Sequence, residues 1–519
     1  MKKKGKNYVV GAMVLTIGSL LSKVLGMFFR IPLVNYLGDY GMGLYGYAYP
    51  LYTTFLMVST AGLPSAVSKM VSESVSKGNY KQAYKIFNIA FVALAIMGGL
   101  SSVIMFAGAN FFINIFDWDP EAYYSIIAIS FAPFFVCLIS VVRGFFQGMQ
   151  NMIFTSVSEV LEQVGRVFVG LFLAVYLMNT RGVAWGAAGA TFGAVAGAII
   201  AFLFLYVSFA VYRSKHTDSL RLQPAEIRVG ESKELFKNLV LIAVPIACGS
   251  IVTTLMDLIN SMTITSCLKS IGYSAKEATN LYGQLTSKAQ TLINVPLVIG
   301  SSLAVSLVPS ISESFAKKNV KSAQAKSTLA VRLAFLVSVP ASLGLSLLSE
   351  PIFMLLYPDA SKGFEMLSYL SYTVIFTVAM STLQGILQGA GKYYAPLKNL
   401  LIGGAVKYIL NVVLIKIPAL NIYGAIISSI AATAVIFVFD YIDVKKHVGF
   451  GRMAPSIVKI LFSSFIMGLI CIFSYQTLCS YMSEKIAVVA AILISVLVYG
   501  ASIIGTKAFT LDDLRSIRS

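Results

Sequence analysis

The chain has 519 residues, of which 57% are hydrophobic and 12% are charged, and its formal net charge is +18. A soluble protein of this length carries roughly a quarter charged residues, so the composition excludes an ordinary soluble domain. Apolar runs of about 20 residues, the length of a helix that crosses a bilayer, recur from end to end. The sequence therefore predicts an all-α polytopic membrane protein.

Fourteen transmembrane spans are predicted in chain order. The first follows a basic tail, as the apolar region of a signal peptide would, but it is too long and no small-residue cleavage site follows it. We therefore expect it to be the first helix of the mature protein. The predicted spans cover residues 9–34, 44–71, 84–113, 121–148, 152–178, 183–212, 236–266, 286–314, 325–349, 364–390, 393–416, 421–444, 454–480 and 485–506.

The positive charges fall in alternate loops between these spans. With the N-terminus inside, the cytoplasmic loops are basic, whereas one of the opposite loops, FDWDPE at 116–121, is acidic. The positive-inside rule then predicts that both termini lie in the bacterial cytoplasm. This distribution argues against nucleic acid as a partner and favours contact with anionic membrane lipids. The cations of the predicted cytoplasmic loops are Lys77, Lys81, Lys85, Arg213, Lys215, Arg221, Arg228, Lys233, Lys317, Lys318, Lys321, Lys326, Lys445, Lys446, Arg452, Arg515 and Arg518.

A polar, basic segment occurs twice. SESVSKGNYKQA at 72–83 and SESFAKKNVKSA at 312–323 share seven residues at an offset of 240, and RGFFQG at 143–148 recurs as QGILQG at 384–389. The repeat predicts two six-helix lobes of the same orientation, related by an axis along the membrane normal, with a site at their interface. The repeated segment itself is expected to be a hinge or anchor without chemistry. The predicted regions are an N-terminal lobe at 1–213, a cytoplasmic linker at 214–235, a C-terminal lobe at 236–447 and two further helices with a cytoplasmic tail at 448–519.

Ionisable residues inside the spans are functional candidates, because a charge in the bilayer needs a cavity or a partner. In span one, Lys23 and Arg30 share a helical face with Thr16, Ser19 and Gly26. The alternative for Arg30 is snorkelling to the membrane interface, which is harder for the deeper Lys23.

Span five carries Glu159, Glu162 and Arg166 on one stripe. Two interpretations stay open for this stripe. The residues line a polar cavity, or Glu162 and Arg166 form a structural pair one turn apart.

Span seven has the longest polar face, which includes Asp257 and Asn260, and span eleven contributes Lys407 and Asn411 one turn apart. Such faces must line water or another helix. Lys23, Arg166 and Lys407 together bias the predicted cavity towards positive charge. Fixed cations hold phosphate oxygens well, so the sequence favours an anionic ligand such as a lipid diphosphate. The full face of span seven is Ser250, Thr253, Thr254, Asp257, Asn260 and Ser261.

Signals for enzymes and cofactors are weak. No phosphate-binding GxxxxGK[ST] motif is present, and the two histidines and five cysteines form no zinc or haem pattern. Asp117-Trp118-Asp119 has the DxD form of metal-dependent glycosyltransferases, but its position favours an acidic outer loop. We expect no cofactor, no catalytic residue and a monomeric protein.

Four segments resemble the multidrug/oligosaccharidyl-lipid/polysaccharide exporter superfamily, over nearly the whole chain. They are SKVLGMFFRIPLVNYLGDYGMGLY at 22–45, AGLPSAVSKMVSE at 61–73, VVRGFFQGMQ at 141–150 and SLVPSISESFAKKN at 306–319. Within it the chain is most similar to the Gram-positive polysaccharide-transporter branch of stage V sporulation protein B and the MurJ-like lipid II flippases. The resemblance implies export of an undecaprenyl-diphosphate-linked sugar by alternating access, with Lys23 in the place of a cavity arginine and the last two spans holding the lipid tail.

The sequence also departs from the family pattern. Cavity arginines expected in spans one, two and eight are Phe29, Thr54 and Thr291 here. Asp257 resembles the span-seven acid of a family sodium site, whereas Lys407 stands at the expected span-eleven acid. We therefore expect Asp257 and Lys407 to face each other, with the ammonium where an ion would sit.

Three alternatives remain open for the function. A multidrug/cation antiporter of the same superfamily would need carboxylates to hold its cations. A membrane glycosyltransferase using the same lipid carrier would depend on Asp117 and Asp119. A sporulation scaffold without transport is the third. The glycan, the coupling ion and the choice between growth and sporulation are not determined by the residues.

Overall fold

The computed structural model describes residues 2–60, 62–215, 230–317, 319–358 and 361–509, and every regular element in these ranges is a helix. The chain divides into two compact units. One comprises Met1–Ser266 with Ala275–Asn280, and the other comprises Cys267–Ser274 with Leu281–Ser519. The lobe and linker boundaries drawn from the repeat stay a prediction, and the linker residues 216–229 lie outside the described residues.

The first unit is built from long helices joined by short turns. They are α1 Lys2–Thr60, α2 Leu63–Ser76, α3 Tyr80–Ala107, α4 Ala109–Phe116, α5 Ala122–Ile129, α6 Ala132–Gly148, α7 Met152–Arg181, α8 Val183–Lys215, α9 Ser232–Ser270 and α10 Ala275–Gly283. The last residues of α9 and α10 belong to the second unit.

The second unit continues with a π-helical turn at Gln284–Ala289. Its helices are α11 Gln290–Ala316, α12 Val320–Leu347, α13 Ser349–Leu356, α14 Phe364–Leu370, α15 Thr373–Gly389, α16 Tyr394–Leu414, α17 Ile422–His447, α18 Ala454–Cys479 and α19 Glu484–Gly505.

Nine helices in the described ranges are long and apolar enough to cross a membrane, and the bent pair α14–α15 raises the number to ten. These ten correspond to predicted spans three to six and nine to fourteen. Spans one, two, seven and eight fall in α1, α2, α9 and α11, so the total of fourteen stays a prediction. The break of α1 at Gly38 lies in the predicted gap between spans one and two, whereas predicted span two crosses the turn between α1, which ends at Thr60, and α2. Gly38 has φ 64, a conformation that only glycine adopts without strain.

The helix pattern of the first unit recurs in the second. Both α3 and α12 have 28 residues, α4 and α13 have 8, and α6 and α15 have 17. The starts of these pairs are offset by 240 or 241 residues, as in the sequence repeat. The internal repeat is therefore a repeat of local structure as well as of sequence.

The turn formed by the repeated segment has the same hydrogen bonds in both copies. The side chain of Asn79 accepts from the backbone N–H of Gln82 at 3.0 Å, and that of Asn319 accepts from Ser322 at 3.0 Å. Each asparagine N–H also bonds to the carbonyl of a serine five residues earlier, at 2.9 Å. The repeated sequence thus encodes the N-terminal caps of α3 and α12.

We expect Asn79→Ala and Asn319→Ala each to lower the free energy of unfolding by about 1 kcal/mol, because each leaves a helix N-terminus without its cap. Asn79→Asp and Asn319→Asp are the controls, since aspartate caps equally well. Thermal unfolding of the purified protein measures the effect. Equal stability of the alanine and aspartate variants would contradict a capping role.

Two glycines of α8 allow α7 to pack closely against α8. This packing positions the α7 residues of the site described below. A Cβ on Gly193 would lie 2.7 Å from the carbonyl of Arg166, and a Cβ on Gly197 would clash with the carbonyl of Glu162. Small residues allow such close helix contacts inside membranes. The glycine-rich stretch at 182–197 therefore serves helix packing.

Candidate functional site

A three-membered ion cluster lies between α6 and α7 of the first unit. The two carboxylate oxygens of Glu162 accept separately from Arg143, at 3.0 Å, and from Arg166, at 3.2 Å. The three side chains are only 17%, 11% and 12% exposed for Arg143, Glu162 and Arg166. The predicted Glu162–Arg166 pair is confirmed, and two guanidinium groups share one negative charge.

Helices α6 and α7 position this cluster. Glu162 and Arg166 lie one turn apart on α7, and Arg143 reaches them from near the end of α6. A further bond from Arg143 Nε to the hydroxyl of Ser158, at 2.8 Å, orients its guanidinium. Held from two sides, Arg143 presents one fixed face to Glu162.

Tyrosines of α1 border the cluster. Arg166 donates to the hydroxyl of Tyr49 at 3.1 Å, and the guanidinium of Arg30 lies 5.9 Å from the centre of the same ring. Tyr49 in turn stacks on Tyr45 and meets Tyr52 edge-on. Arg30 therefore contacts the aromatic side of the site and does not only extend to a membrane interface.

The predicted polar face of α1 packs on α7. Ser19 donates to Glu159 at 2.5 Å, and a Cβ on Gly26 would lie 3.3 Å from the amide oxygen of Gln163. Lys23 lies between Ser19 and Gly26 in the helix, but its side chain lies outside the described residues. The structure thus brings together Arg30, Glu159, Glu162 and Arg166 among the predicted site residues.

The remaining predicted site residues are distributed over both units. Lys407 is 7% exposed and Asn411 is fully buried, both on α16, whereas Asp257 on α9 is exposed and Asn260 is half-buried. Asp257 and Asn260 belong to the first unit and the α16 residues to the second. The facing of Asp257 and Lys407 stays a prediction.

At two of the positions where the family pattern has a cavity arginine, this chain has threonines that form local hydrogen bonds. Thr54 donates to the carbonyl of Pro50 at 2.8 Å, and Thr291 donates to the carbonyl of Ser287 at 2.6 Å. Phe29 is a core residue at 3% exposure. Lys288, one turn before Thr291, was not among the predicted site residues.

Lys288 is fully buried in the π-helical turn. It donates to the carbonyl of Lys362 at 3.2 Å and lies 5.9 Å from the centre of the Tyr357 ring. Lys288 lies inside predicted span eight, so its being an ionisable residue within a span is the signal that could have found it. A buried lysine in an irregular helical turn is a stronger signal than its position alone.

A second polar cluster, also overlooked, lies among α15, α16 and α17. The fully buried Asp440 accepts from the amide of Asn399 at 2.8 Å and from that of Gln384 at 3.2 Å. The same Asn399 nitrogen donates to Asp443 at 2.9 Å. Asp440 and Asp443 lie inside predicted span twelve, so their being ionisable residues within a span is the signal that could have found them.

The DxD sequence forms a structural turn. Trp118 is 2% exposed and donates to the carbonyl of Ser261 at 2.6 Å. Asp119 accepts from the hydroxyl of Tyr40 at 2.9 Å and from the backbone N–H of Glu121 at 2.9 Å. Burial, and then the bond to Asp119, raises the pKa of the Tyr40 phenol above its ordinary value. These contacts favour the structural interpretation over a metal-binding one.

We therefore expect Asp119→Asn to retain transport, because its amide oxygen can accept from the backbone N–H of Glu121 while its amide nitrogen donates to the hydroxyl of Tyr40. Asp119→Ala is expected to lower stability by about 1–2 kcal/mol, because the backbone N–H of Glu121 then lacks its acceptor and Tyr40 keeps only its longer bond to the Glu121 carboxylate, at 3.2 Å. The measurements are transport in vesicles and thermal unfolding. Loss of activity in Asp119→Asn at wild-type stability would instead support a catalytic carboxylate.

Comparison with known proteins agrees with this architecture. The family described as polysaccharide biosynthesis protein matches residues 9–315, more than half of the chain, and the MatE family matches residues 286–415. Lipid II flippase MurJ of Bacillus subtilis (strain 168) is 30% identical over 479 residues, which are 88% of this chain and 87% of the relative. Stage V sporulation protein B of the same organism is 27% identical over 523 aligned positions, with 99% and 98% coverage.

Solved structures show the same fold. Lipid II flippase MurJ in an inward closed conformation has a TM-score of 0.70 at 16% identity, covering 94% of this chain and 98% of that one. An inward-facing multidrug resistance MATE family transporter of the MOP superfamily has a TM-score of 0.65 at 14% identity, covering 82% and 95%. The chain therefore belongs to the polysaccharide biosynthesis protein family of the multidrug/oligosaccharidyl-lipid/polysaccharide exporter superfamily, as a multi-pass membrane transporter and not an enzyme.

Proposed function

We propose that this transporter moves an undecaprenyl-diphosphate-linked saccharide, such as a peptidoglycan precursor or a polysaccharide unit, across the bacterial cytoplasmic membrane by alternating access. The termini lie in the cytoplasm in this proposal. The observation that carries it is the pairing of two buried guanidinium groups with the single carboxylate of Glu162.

This pairing leaves the cluster with an excess positive charge. Arg30 adds one charge at the aromatic side and Glu159 removes one, so the described part of the site keeps a net charge of about +1. Lys23 would add another. A site of this sign attracts an anion and repels a cation, which favours a diphosphate over a cationic drug.

The geometry also suits a headgroup that must be released. Guanidinium groups bind phosphate oxygens through two parallel N–H bonds, so Arg166 and Arg30 offer specific contacts. Arg166 already shares its donors between Glu162 and Tyr49. Binding a phosphate therefore exchanges existing bonds for new ones, which limits affinity and permits release.

A second candidate, export of cationic compounds, rests on Glu159. The carboxylate of Glu159 accepts a hydrogen bond from the neutral hydroxyl of Ser19. The fold is also shared with multidrug resistance transporters. A carboxylate of this kind can hold a cation. The arginine excess beside it makes this the weaker candidate.

Reconstituted vesicles separate the two. The purified chain is placed in liposomes with fluorescent lipid II, and accessibility of the headgroup to an external enzyme or quencher is followed over time. We expect faster transfer than in protein-free vesicles, with no efflux of a cationic dye from the same preparation. Dye efflux without lipid transfer would contradict the proposal and support the cation exporter.

A further inference from the structure

The polar cluster among α15, α16 and α17 contains two carboxylates held by one amide. The Asn399 nitrogen donates to Asp440 at 2.8 Å and to Asp443 at 2.9 Å, so it bridges the two acids. Asp440 and Asn399 are fully buried, whereas Asp443 is half-buried. All three lie on helices that are candidate membrane spans.

The charge of Asp440 is not balanced by a side chain. In the ranges that the structure describes, no lysine or arginine lies within 4.0 Å of Asp440 or Asp443. Lys398, Lys445 and Lys446, which neighbour the cluster in sequence, are exposed. Burying an ionised carboxylate without a positive partner is costly, so either a bound cation or a proton has to neutralise Asp440.

The internal repeat allows this cluster to be compared with the first unit. At an offset of 241, Gln384 corresponds to Arg143 and Asn399 corresponds to Ser158. In the first unit Arg143 neutralises Glu162 and also bonds to Ser158. In the second unit Gln384 stands in the place of that guanidinium and Gly403 in the place of Glu162. The buried carboxylate beside Gln384 is that of Asp440, which comes from α17.

A polar atom without a partner lies in the same cluster. The side-chain oxygen of the fully buried Asn399 has no hydrogen-bond partner, although its nitrogen bridges the two acids. Rotation of the amide exchanges the two atoms, and such terminal orientations are interchangeable alternatives. The rotated amide would direct an oxygen, together with Asp440 and Asp443, at one point.

We propose that this cluster is a binding site for a small monovalent cation, with Na⁺ as the ion, which takes the place of the first unit's arginine. Carboxylate and amide oxygens are the ligands that hard cations prefer. One buried charge, that of Asp440, has to be balanced, since half-buried Asp443 retains contact with water. A single buried charge favours a monovalent ion, because a divalent one would leave an uncompensated positive charge in the buried part of the cluster.

The experiment measures thermal unfolding of the purified full-length protein in chloride salts of Na⁺, K⁺, Mg²⁺ or choline at matched ionic strength. We expect Na⁺ to raise the melting temperature over choline by roughly 1–3 °C once its concentration is about ten times the dissociation constant. Asp440→Asn should lose this shift, because the neutral amide no longer needs a cation. Glu484→Gln, an exposed acid at the start of α19, should keep it.

Gln384→Arg is the decisive variant. It restores the guanidinium found at the repeat-related position, so the protein should become independent of Na⁺ while its melting temperature in choline rises to at least the wild-type value in Na⁺. This readout does not involve lipid transport, so it can fail while the proposed function holds.

Three results would overturn the inference. A shift that is equal in Na⁺, K⁺ and choline would show only screening. A Na⁺ shift that persists in both Asp440→Asn and Gln384→Arg would place the ion elsewhere. Stabilisation by Mg²⁺ alone, or by acidification alone, would mean that a divalent ion or a proton neutralises Asp440.

Discussion

Replacing Glu162 by alanine is expected to lower the free energy of unfolding by about 3–5 kcal/mol, the usual cost of removing one partner from a buried ion pair. The carboxylate is shared by Arg143 and Arg166, whose side chains are 17% and 12% exposed. Its loss leaves both guanidinium groups without their negative partner in a region that excludes most water. Thermal or denaturant unfolding of the purified protein measures the difference.

The chain supplies a matched control in Lys69 and Glu73. This pair also has i, i+4 spacing but its side chains are 60% and 58% exposed. Because exposed pairs contribute about 0–1 kcal/mol, Glu73→Ala should be close to neutral. If Glu162→Ala were as mild as Glu73→Ala, the buried cluster would not hold α6 against α7, and its role as a fixed anion receptor would fail.

Replacing Lys23 by alanine is expected to reduce lipid transfer at least tenfold while leaving membrane insertion and abundance unchanged. The sequence places Lys23 one turn from Ser19, on the face of α1 that meets Glu159 and Gln163 of α7. The loss of one positive charge there weakens the attraction for a diphosphate, and Lys23→Arg should keep activity because it keeps the charge. Lys69→Ala, an exposed lysine on α2, is the control.

The driving force for this transfer can be measured in the same vesicles. A diphosphate carries about two negative charges, and an inside-negative potential of roughly 100 mV favours outward movement by about 4–5 kcal/mol in total. This free energy shifts the equilibrium distribution of the lipid diphosphate between the two sides of the membrane more than a thousandfold. Collapsing the potential should therefore slow export. Wild-type rates in Lys23→Ala would remove the role assigned to this lysine, and rates indifferent to voltage would remove the potential as the driving force.

The sequence alone determined the class of protein and much of its helix order. Apolar runs identify spans because each must be long enough to cross the bilayer whatever its neighbours are. The repeat can also be read from the sequence alone. The caps of Asn79 and Asn319 and the Glu162–Arg166 pair join residues three or four positions apart, so neighbouring residues encode them. Predicted spans eleven to fourteen accordingly agree with α16 to α19 within three residues.

Only the tertiary structure decided which distant groups meet. Arg143 reaches Glu162 across 19 residues, Asn399 reaches Asp440 across 41, and Tyr40 reaches Asp119 across 79. Such contacts depend on how helices pack, and packing depends on glycines such as Gly193 that bring two backbones close. The sequence shows a charge and the helix face that carries it. Whether that charge is balanced by a side chain, as at Glu162, or needs an ion, as we infer at Asp440, depends on which neighbouring helix it meets.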